Sequence, residues 1–216
     1  MNVLYVVATP IGNLEDITLR ALRVLKEANM IAAEDTRRAK KLLVKYEIST
    51  PVTSFHEHST NAKMHRLIEF IKTEGDLALI SDAGMPGISD PGYGLISESI
   101  SNDIKVVPIP GPSAVTTALV MSSLPADNFT FIGFLPKKKS DRLRFISSIA
   151  RNKQTMVAFE SPHRLQSSLK DLSEILGQRR IAICRELTKV HEEIWHGTFE
   201  EAIRYFLKPR GEFTLV

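Results

Sequence analysis

The strongest constraint on the fold is an alternation that runs through the first half of the chain. Short apolar runs are separated by segments with helical periodicity. Val3 to Ala8, Met30 to Ala33, Leu77 to Ile80 and Asp103 to Pro108 read as strands. Between them, Leu19, Leu22 and Leu25 recur at helical spacing behind Thr18, and a basic helix starts near Thr36. Met64, Leu67, Ile68 and Ile71 form a third helical stripe behind Ser59. Thr18 and Ser59 have the hydroxyls that satisfy the orphan N–H groups of a first turn. Strands separated by helices pair in parallel through crossover connections, so the chain is an α/β layer structure.

Pro108-Ile109-Pro110-Gly111-Pro112 interrupts the pattern. Three prolines and a glycine in five residues neither continue a strand nor sit inside a helix. A helix is expected to start at Pro112 or Ser113, bridging a domain boundary near residues 112 to 124. The division is into an N-terminal domain, 1–112, and a C-terminal domain, 113–216. The second half repeats the alternation, with strands at Phe129 to Gly133, Thr155 to Phe159 and Ile181 to Arg185. Helices are expected at Ser140 to Ala150 and His163 to Leu176, and edge strands at Glu193 to Trp195 and Phe213 to Val216. An ending in a strand is expected to continue into a natural C-terminal tail.

Of the 216 residues, 43% are hydrophobic and 25% charged, an ordinary globular balance. No apolar run is long enough for a membrane helix, and the N-terminus lacks the pattern of a secretory signal. The single cysteine, Cys184, lies in an apolar run and reads as a core residue; one thiol excludes an internal disulfide, which fits a cytoplasmic protein. Net charge is only +3, yet it is unevenly placed. Residues 34–45 carry Arg37, Arg38, Lys40, Lys41 and Lys45 against two acids, and residues 137–144 carry Lys137, Lys138, Lys139, Arg142 and Arg144 against Asp141. Each cluster is either a solvated helix face or part of a phosphate-binding surface.

Three loops that follow strands carry unusual residues, and in open α/β sheets ligands bind beyond the carboxyl ends of strands. Thr9-Pro10-Ile11-Gly12-Asn13-Leu14 contains a glycine but neither the dinucleotide fingerprint nor a phosphate-loop lysine, which favours a cofactor without phosphates. Residues 81–92, Ser-Asp-Ala-Gly-Met-Pro-Gly-Ile-Ser-Asp-Pro-Gly, hold three glycines, two prolines and two aspartates. Such a loop lets backbone approach a ligand while holding its shape. Asp82 and Asp90 alone are thin support for a metal, though magnesium bound through water fits two carboxylates. Pro110-Gly111-Pro112-Ser113-Ala114 forms a third candidate wall.

These loops, with Ala33-Glu34-Asp35-Thr36-Arg37, Phe131-Ile132-Gly133-Phe134-Leu135-Pro136, Phe159-Glu160-Ser161-Pro162-His163-Arg164 and Arg185-Glu186-Leu187-Thr188-Lys189, carry a resemblance along essentially the whole chain. The sequence resembles the tetrapyrrole methylase superfamily, within it the lineage that 2′-O-methylates a cytidine ribose in small-subunit ribosomal RNA. Met85 stands where that lineage has threonine. The resemblance implies a two-domain tetrapyrrole-methylase-like α/β fold, with a mostly parallel sheet in the N-terminal domain and a mixed sheet in the C-terminal one. It also implies a homodimer, with S-adenosylmethionine in a cleft between the domains. Pro10 and Gly12 would flank the cofactor; Asp82, Ala83, Gly84 and Ile88 would line it, largely through backbone. Ser113 and Ala114 would meet its methionine end, and Phe134, Leu135 and Pro162 its adenosine.

A ribose hydroxyl is a poor nucleophile near neutral pH, so a base or an oriented water would help. Glu34 and Asp35 follow the second strand and are candidates; as helix N-terminal acids they would equally complement the helix dipole. His56 and His58 are either further bases or solvated loop residues. Arg37, Arg38, Lys40, Lys41 and Lys137, Lys138, Lys139 are expected to grip phosphates of small-subunit ribosomal RNA, free or in the assembled small subunit. Two other functions share these features: a methylase of a tetrapyrrole-like small molecule, and a non-catalytic RNA-binding factor.

Overall fold

A computed structural model describes residues 2–216. The chain divides into two compact units, Met1–Ser113 and Ala114–Val216. In the first unit the order is β1 (Val3–Val7), α1 (Leu19–Glu27), β2 (Met30–Ala33), α2 (Thr36–Lys45), β3 (Val52–Ser54), α3 (Asn61–Thr73), β4 (Leu77–Ile80), α4 (Tyr93–Ser101) and β5 (Lys105–Ile109). The strands form one sheet in the order β3-β2-β4-β1-β5, and every pairing is parallel.

Alternation along the strands explains why this sheet is covered on both faces. Ala78 and Ile80 join Val7, Ile31 and Ile109 in a core with Ala21, Val24 and Leu25 of α1 and Leu42 and Leu43 of α2. Leu77 and Leu79 point the other way and join Leu4, Val6 and Ala32 against Leu67, Ile68 and Ile71 of α3. A parallel strand buried on both faces reads as a continuous apolar run, as Leu77-Ala78-Leu79-Ile80 does. Thr18 caps α1 as expected, its side chain accepting the N–H of Ala21; α3 is capped by Thr60, one residue beyond Ser59.

The second unit comprises α5 (Ala114–Met121), β6 (Phe129–Phe134), α6 (Lys139–Ile149), β7 (Thr155–Glu160), α7 (Pro162–Leu176), β8 (Arg180–Arg185), β9 (Glu193–Thr198), α8 (Phe199–Tyr205) and β10 (Phe213–Leu215). Its sheet is mixed, ordered β6-β7-β10-β8-β9: β6 and β7 are parallel, and the remaining pairs antiparallel. The helix expected to bridge the halves, α5, lies wholly in this unit.

The expectation that residues 213–216 form an edge strand is corrected. β10 inserts between β7 and β8, pairing Phe213 with Glu160 on one side and Arg185 on the other. Its Phe213 and Leu215 are buried in the unit's core beside Leu165, Leu169, Ile183 and Phe206. The edges are β6 and β9 instead. Phe213→Ala is therefore expected to cost about 3–5 kcal/mol, the usual price of emptying a buried aromatic site. Phe129→Ala on edge strand β6, where the ring is 37% exposed, costs clearly less. Urea midpoints of the two variants measure the difference.

Candidate functional site

Because the first sheet is parallel, the segments following β1, β2, β4 and β5 all leave from the same edge. Thr9 and Gly84 form an antiparallel bridge there: the Thr9 N–H donates to the Gly84 carbonyl at 2.9 Å, and the Gly84 N–H returns the bond at 3.0 Å. The Thr9 hydroxyl donates to the Ser81 carbonyl at 3.0 Å. Gly84 has φ +74°, and a Cβ on it would lie 3.7 Å from Ile11 Cγ2 and 3.8 Å from the Pro112 carbonyl oxygen. A Cβ on Gly111 would come within 3.0 Å of Ala8 Cβ. Thus the first three loops singled out in the sequence converge.

Beyond these strand ends lies an open cavity of about 380 Å3. Thr9, Pro10 and Leu14 line it from the β1 side, Glu34, Asp35 and Arg38 from the β2 side, and Ser81 and Asp82 from β4. Three carboxylates face one guanidinium, so the wall is net acidic. Gly12 is exposed at the rim of the first loop, Ala83 is half-buried and Gly84 buried; Ile88 is exposed. Met85 packs its side chain into the core that includes Leu79 and Leu95, away from the cavity.

The carboxylates are bound in a specific pattern. Asp82 Oδ1 accepts the Asp35 N–H at 3.2 Å, and Asp82 Oδ2 pairs with Arg38 Nη1 at 2.9 Å. The Asp82 N–H in turn donates to Glu34 Oε2 at 3.2 Å. Asp35 caps α2, accepting the Arg37 N–H at 2.8 Å, and takes the Arg37 side chain through both oxygens, at 3.2 and 3.0 Å. Its hydrogen bonds from Arg37 hold this carboxyl down at about 2.

Asp90, by sequence a candidate only for a metal, has no hydrogen bond or ion pair among the described residues. Burial pushes its carboxyl up to about 7, with repulsion from Glu34 and Asp82 adding to the shift. The loop fixes it between left-handed residues: Gly87 at φ +87°, Ser89 at +61° and Gly92 at +139°. A Cβ at Gly92 would meet Gly87 N and Leu79 Cδ2, both at 3.2 Å. Only glycine closes the loop at that point. The signal available in sequence was the density of glycine and proline; the electrostatic environment of Asp90 was not readable.

The remaining expected residues are dispersed. His56 and His58 are exposed on the segment after β3. Ser113 is half-buried at the end of the first unit. In the second unit Ala114 opens α5, Phe134 is 54% exposed, and Pro162 starts α7. Leu135 is 2% exposed, its side chain in the core and its carbonyl bonded to Arg164. Of the expected phosphate-binding cations, Arg37 and Arg38 are engaged by carboxylates, while Lys40, Lys41, Lys137 and Lys138 are exposed without acidic partners among the described residues. Lys139 lies 3.9 Å from Asp171.

The sequence profile of the Tetrapyrrole (Corrin/Porphyrin) Methylases matches residues 3–203. The chain is 51% identical over 215 residues to the Ribosomal RNA small subunit methyltransferase I of Halalkalibacterium halodurans, covering 99% of this chain and 74% of that one. It is 47% identical to the protein of the same name from Thermotoga maritima, covering 100% of this chain and 98% of that one. Among solved structures it superposes on uroporphyrin-III-C-methyltransferase from Thermus thermophilus with TM-score 0.71 at 19% identity, covering 100% and 94% of the two chains. A diphthine synthase gives TM-score 0.73 at 14% identity, with 100% and 89% covered. The structural likenesses establish the fold, and the profile and sequence identities establish descent: the chain belongs to the tetrapyrrole methylase family.

Proposed function

We propose that this chain transfers a methyl group from S-adenosylmethionine to the 2′-hydroxyl of a cytidine ribose in small-subunit ribosomal RNA, working as a homodimer. The observation that carries this reading is the 51% identity, across 99% of the chain, with a relative named for small-subunit ribosomal RNA methylation.

The open cavity beside β1, β2 and β4 suits the cofactor in charge. S-adenosylmethionine has a cationic sulfonium and no phosphate, and the wall presents Glu34, Asp35 and Asp82 against Arg38 alone. A polyphosphate would be repelled by that wall. Pro10, Gly12, Asp82, Ala83, Gly84 and Ile88 would hold the cofactor from the first unit, with Ser113 beside them. Ala114, Phe134, Leu135 and Pro162 are the contacts assigned to the second unit, Leu135 through its backbone. When bound, the cofactor supplies an electrophilic methyl group.

The chain's own task is to align a hydroxyl oxygen and accept its proton, effects worth several kcal/mol together. Of the acids near the cavity, Asp35 is spent on Arg37 and the helix cap and is too weak a base. Asp82 is spent on the Asp35 N–H and Arg38. Among the described residues Glu34 keeps one oxygen unbonded, and Asp90, outside the cavity lining but close enough to feel Glu34 and Asp82, keeps both, with its carboxyl raised to about 7. Glu34 and Asp90 are the proton acceptors in this reading, and Asp35 and Asp82 hold the loops. Lys40, Lys41, Lys137, Lys138 and Lys139, with Arg37 and Arg38 where substrate displaces their carboxylates, would meet RNA phosphates.

Two measurements test this. Small ribosomal subunits from a strain lacking the gene, incubated with the chain and radiolabelled cofactor, are expected to yield labelled 2′-O-methylcytidine on nucleoside analysis. Label in no nucleoside, with cofactor binding intact by calorimetry, would move the assignment to a small-molecule methylase.

The second concerns pH. A base works deprotonated, so the rate is expected to rise through about pH 7, where Asp90 loses its proton. Asp90→Asn should lose that limb and about 10²-fold or more in kcat; a mutant profile that keeps the limb removes Asp90 from the role. Stability follows the opposite sign. Between its ordinary 3.8 and about 7 Asp90 binds a proton in the folded state that the unfolded chain has released. Stability therefore falls as pH rises through that window. Because Asp90 is only partly buried and water offsets much of the desolvation and repulsion its charge meets, Asp90→Asn should gain on the order of 1 kcal/mol at pH 8.

A further inference from the structure

The basic run after β6 contains two kinds of cation. Lys137 and Lys138 are exposed. Arg142, five residues further on and expected in the same solvated cluster, is 3% exposed. Its Nε and Nη2 lie 2.7 and 2.6 Å from Oδ2 of Asp171, itself 3% exposed on α7. Its Nη1 donates to the carbonyls of Pro136 at 3.2 Å and Lys137 at 3.3 Å. One guanidinium thus ties α6 to α7 and both to the backbone of the loop between β6 and α6.

A buried ion pair is a poor source of stability, because desolvating both charges offsets their attraction; apolar side chains of like volume join two helices at least as well. What apolar side chains cannot do is bond the carbonyls of Pro136 and Lys137. Lys138, the N-cap of α6, makes no side-chain capping bond, so the loop has no local anchor of that kind. The planar fork of arginine bonds a carboxylate on one edge and main-chain oxygens on the other, which lysine's single ammonium does poorly. Asp171 also neutralises Arg142 and lies 3.9 Å from Lys139, leaving Lys137 and Lys138 as the unpaired exposed charge.

We propose that Arg142 and Asp171 are a positioning pair for RNA binding: buried, they fix the loop so that Lys137 and Lys138 are presented, unpaired, to backbone phosphates, and Arg142 itself touches no RNA. The inference rests on the reading of this lysine run as an RNA surface. Fixing the loop beforehand lowers the ordering cost that flexible lysines would otherwise bear on binding.

The test is a double-mutant cycle. Binding to purified small ribosomal subunits lacking the modification is measured over a salt series for wild type, Lys138→Glu, the apolar swap Arg142→Met with Asp171→Leu, and the combination. Lys138→Glu is expected to weaken binding about tenfold and flatten the salt dependence. The apolar swap should melt at or above the wild-type temperature yet bind several-fold more weakly, and adding Lys138→Glu to it should cost only about twofold. An equal loss from Lys138→Glu in both backgrounds overturns the positioning role while leaving the RNA surface standing. No loss in the wild-type background overturns both. If the swap does not fold, Arg142→Lys, which keeps the charge opposite Asp171 but not the fork, replaces it in the same cycle, with the coupling expected to fall between the two extremes.

Discussion

Parallel pairing of β1, β2, β4 and β5 is the constraint on which the first unit depends. A parallel sheet needs a crossover between each pair of neighbouring strands, and the helices supplying those crossovers bury both of its faces. The same geometry sends every carboxyl end to one edge. Val7, Ala33, Ile80 and Ile109 end their strands there, which is why loops far apart in sequence converge on one cavity. No side chain has to be recruited to gather them; the direction of the strands does it. The Thr9–Gly84 bridge then continues the sheet's hydrogen bonding past its last regular residue, holding two of the loops in register.

Backbone conformation does the finer positioning. Gly84, Gly87 and Gly92 take positive φ with no steric penalty, while Ser89 takes φ +61° at some cost. Such a residue persists only where its surroundings over-determine it. Here Gly92 seats against Leu79 of the core, and Pro86 is buried beside it. The result is a loop with little freedom, holding Asp90 where burial and two neighbouring carboxylates disfavour its charge. A mobile loop would let that carboxyl swing into water and recover its ordinary proton affinity.

What the sequence disclosed tracks how local each determinant is. β4 is legible because four consecutive apolar residues state burial on both faces, and α1 because Thr18 marks its start; its expected leucine stripe holds only in part, since Leu19 is 86% exposed and Ala21, Val24 and Leu25 are the buried face. β3 is not, because two half-buried residues and an exposed one carry no periodicity; its place is set by pairing with β2. The helix α4 was missed for a different reason. It starts from Gly92 without a side-chain cap and buries only Leu95 and Ser99, so neither a start signal nor a stripe marks it. β10 was found but misplaced, since insertion between β7 and β8 is a long-range choice that three residues cannot announce. The same holds within the candidate site. Glycine and proline density marked the loops, whereas the fate of each charge required its neighbours. Arg142 lies in Lys-Lys-Lys-Ser-Asp-Arg, which reads as uniformly solvated, and only the approach of α7 distinguishes it.

The distribution of charge on α2 joins the two demands that methylation of a polyanion makes. A cationic cofactor is favoured by acids, while RNA is favoured by bases, and mixing both in one wall would serve neither. The helix separates them along its length. Asp35 caps its start, and Arg37 and Arg38 in the first turn are drawn back onto Asp35 and Asp82, moderating the acid wall without reversing it. Lys40, Lys41 and Lys45 follow, exposed, beyond ion-pair contact with those carboxylates. Screening at physiological salt acts over about 8 Å, so Lys45, about 15 Å along the helix from Asp35, is well screened from the strand-end carboxylates, while Lys40 and Lys41 lie at the edge of that range. Ala39, Leu42 and Leu43, the residues facing the core, fix the rotation of the helix and so decide which cations face outward. Packing on the sheet thus sets the electrostatic division, and the candidate site inherits it from the fold.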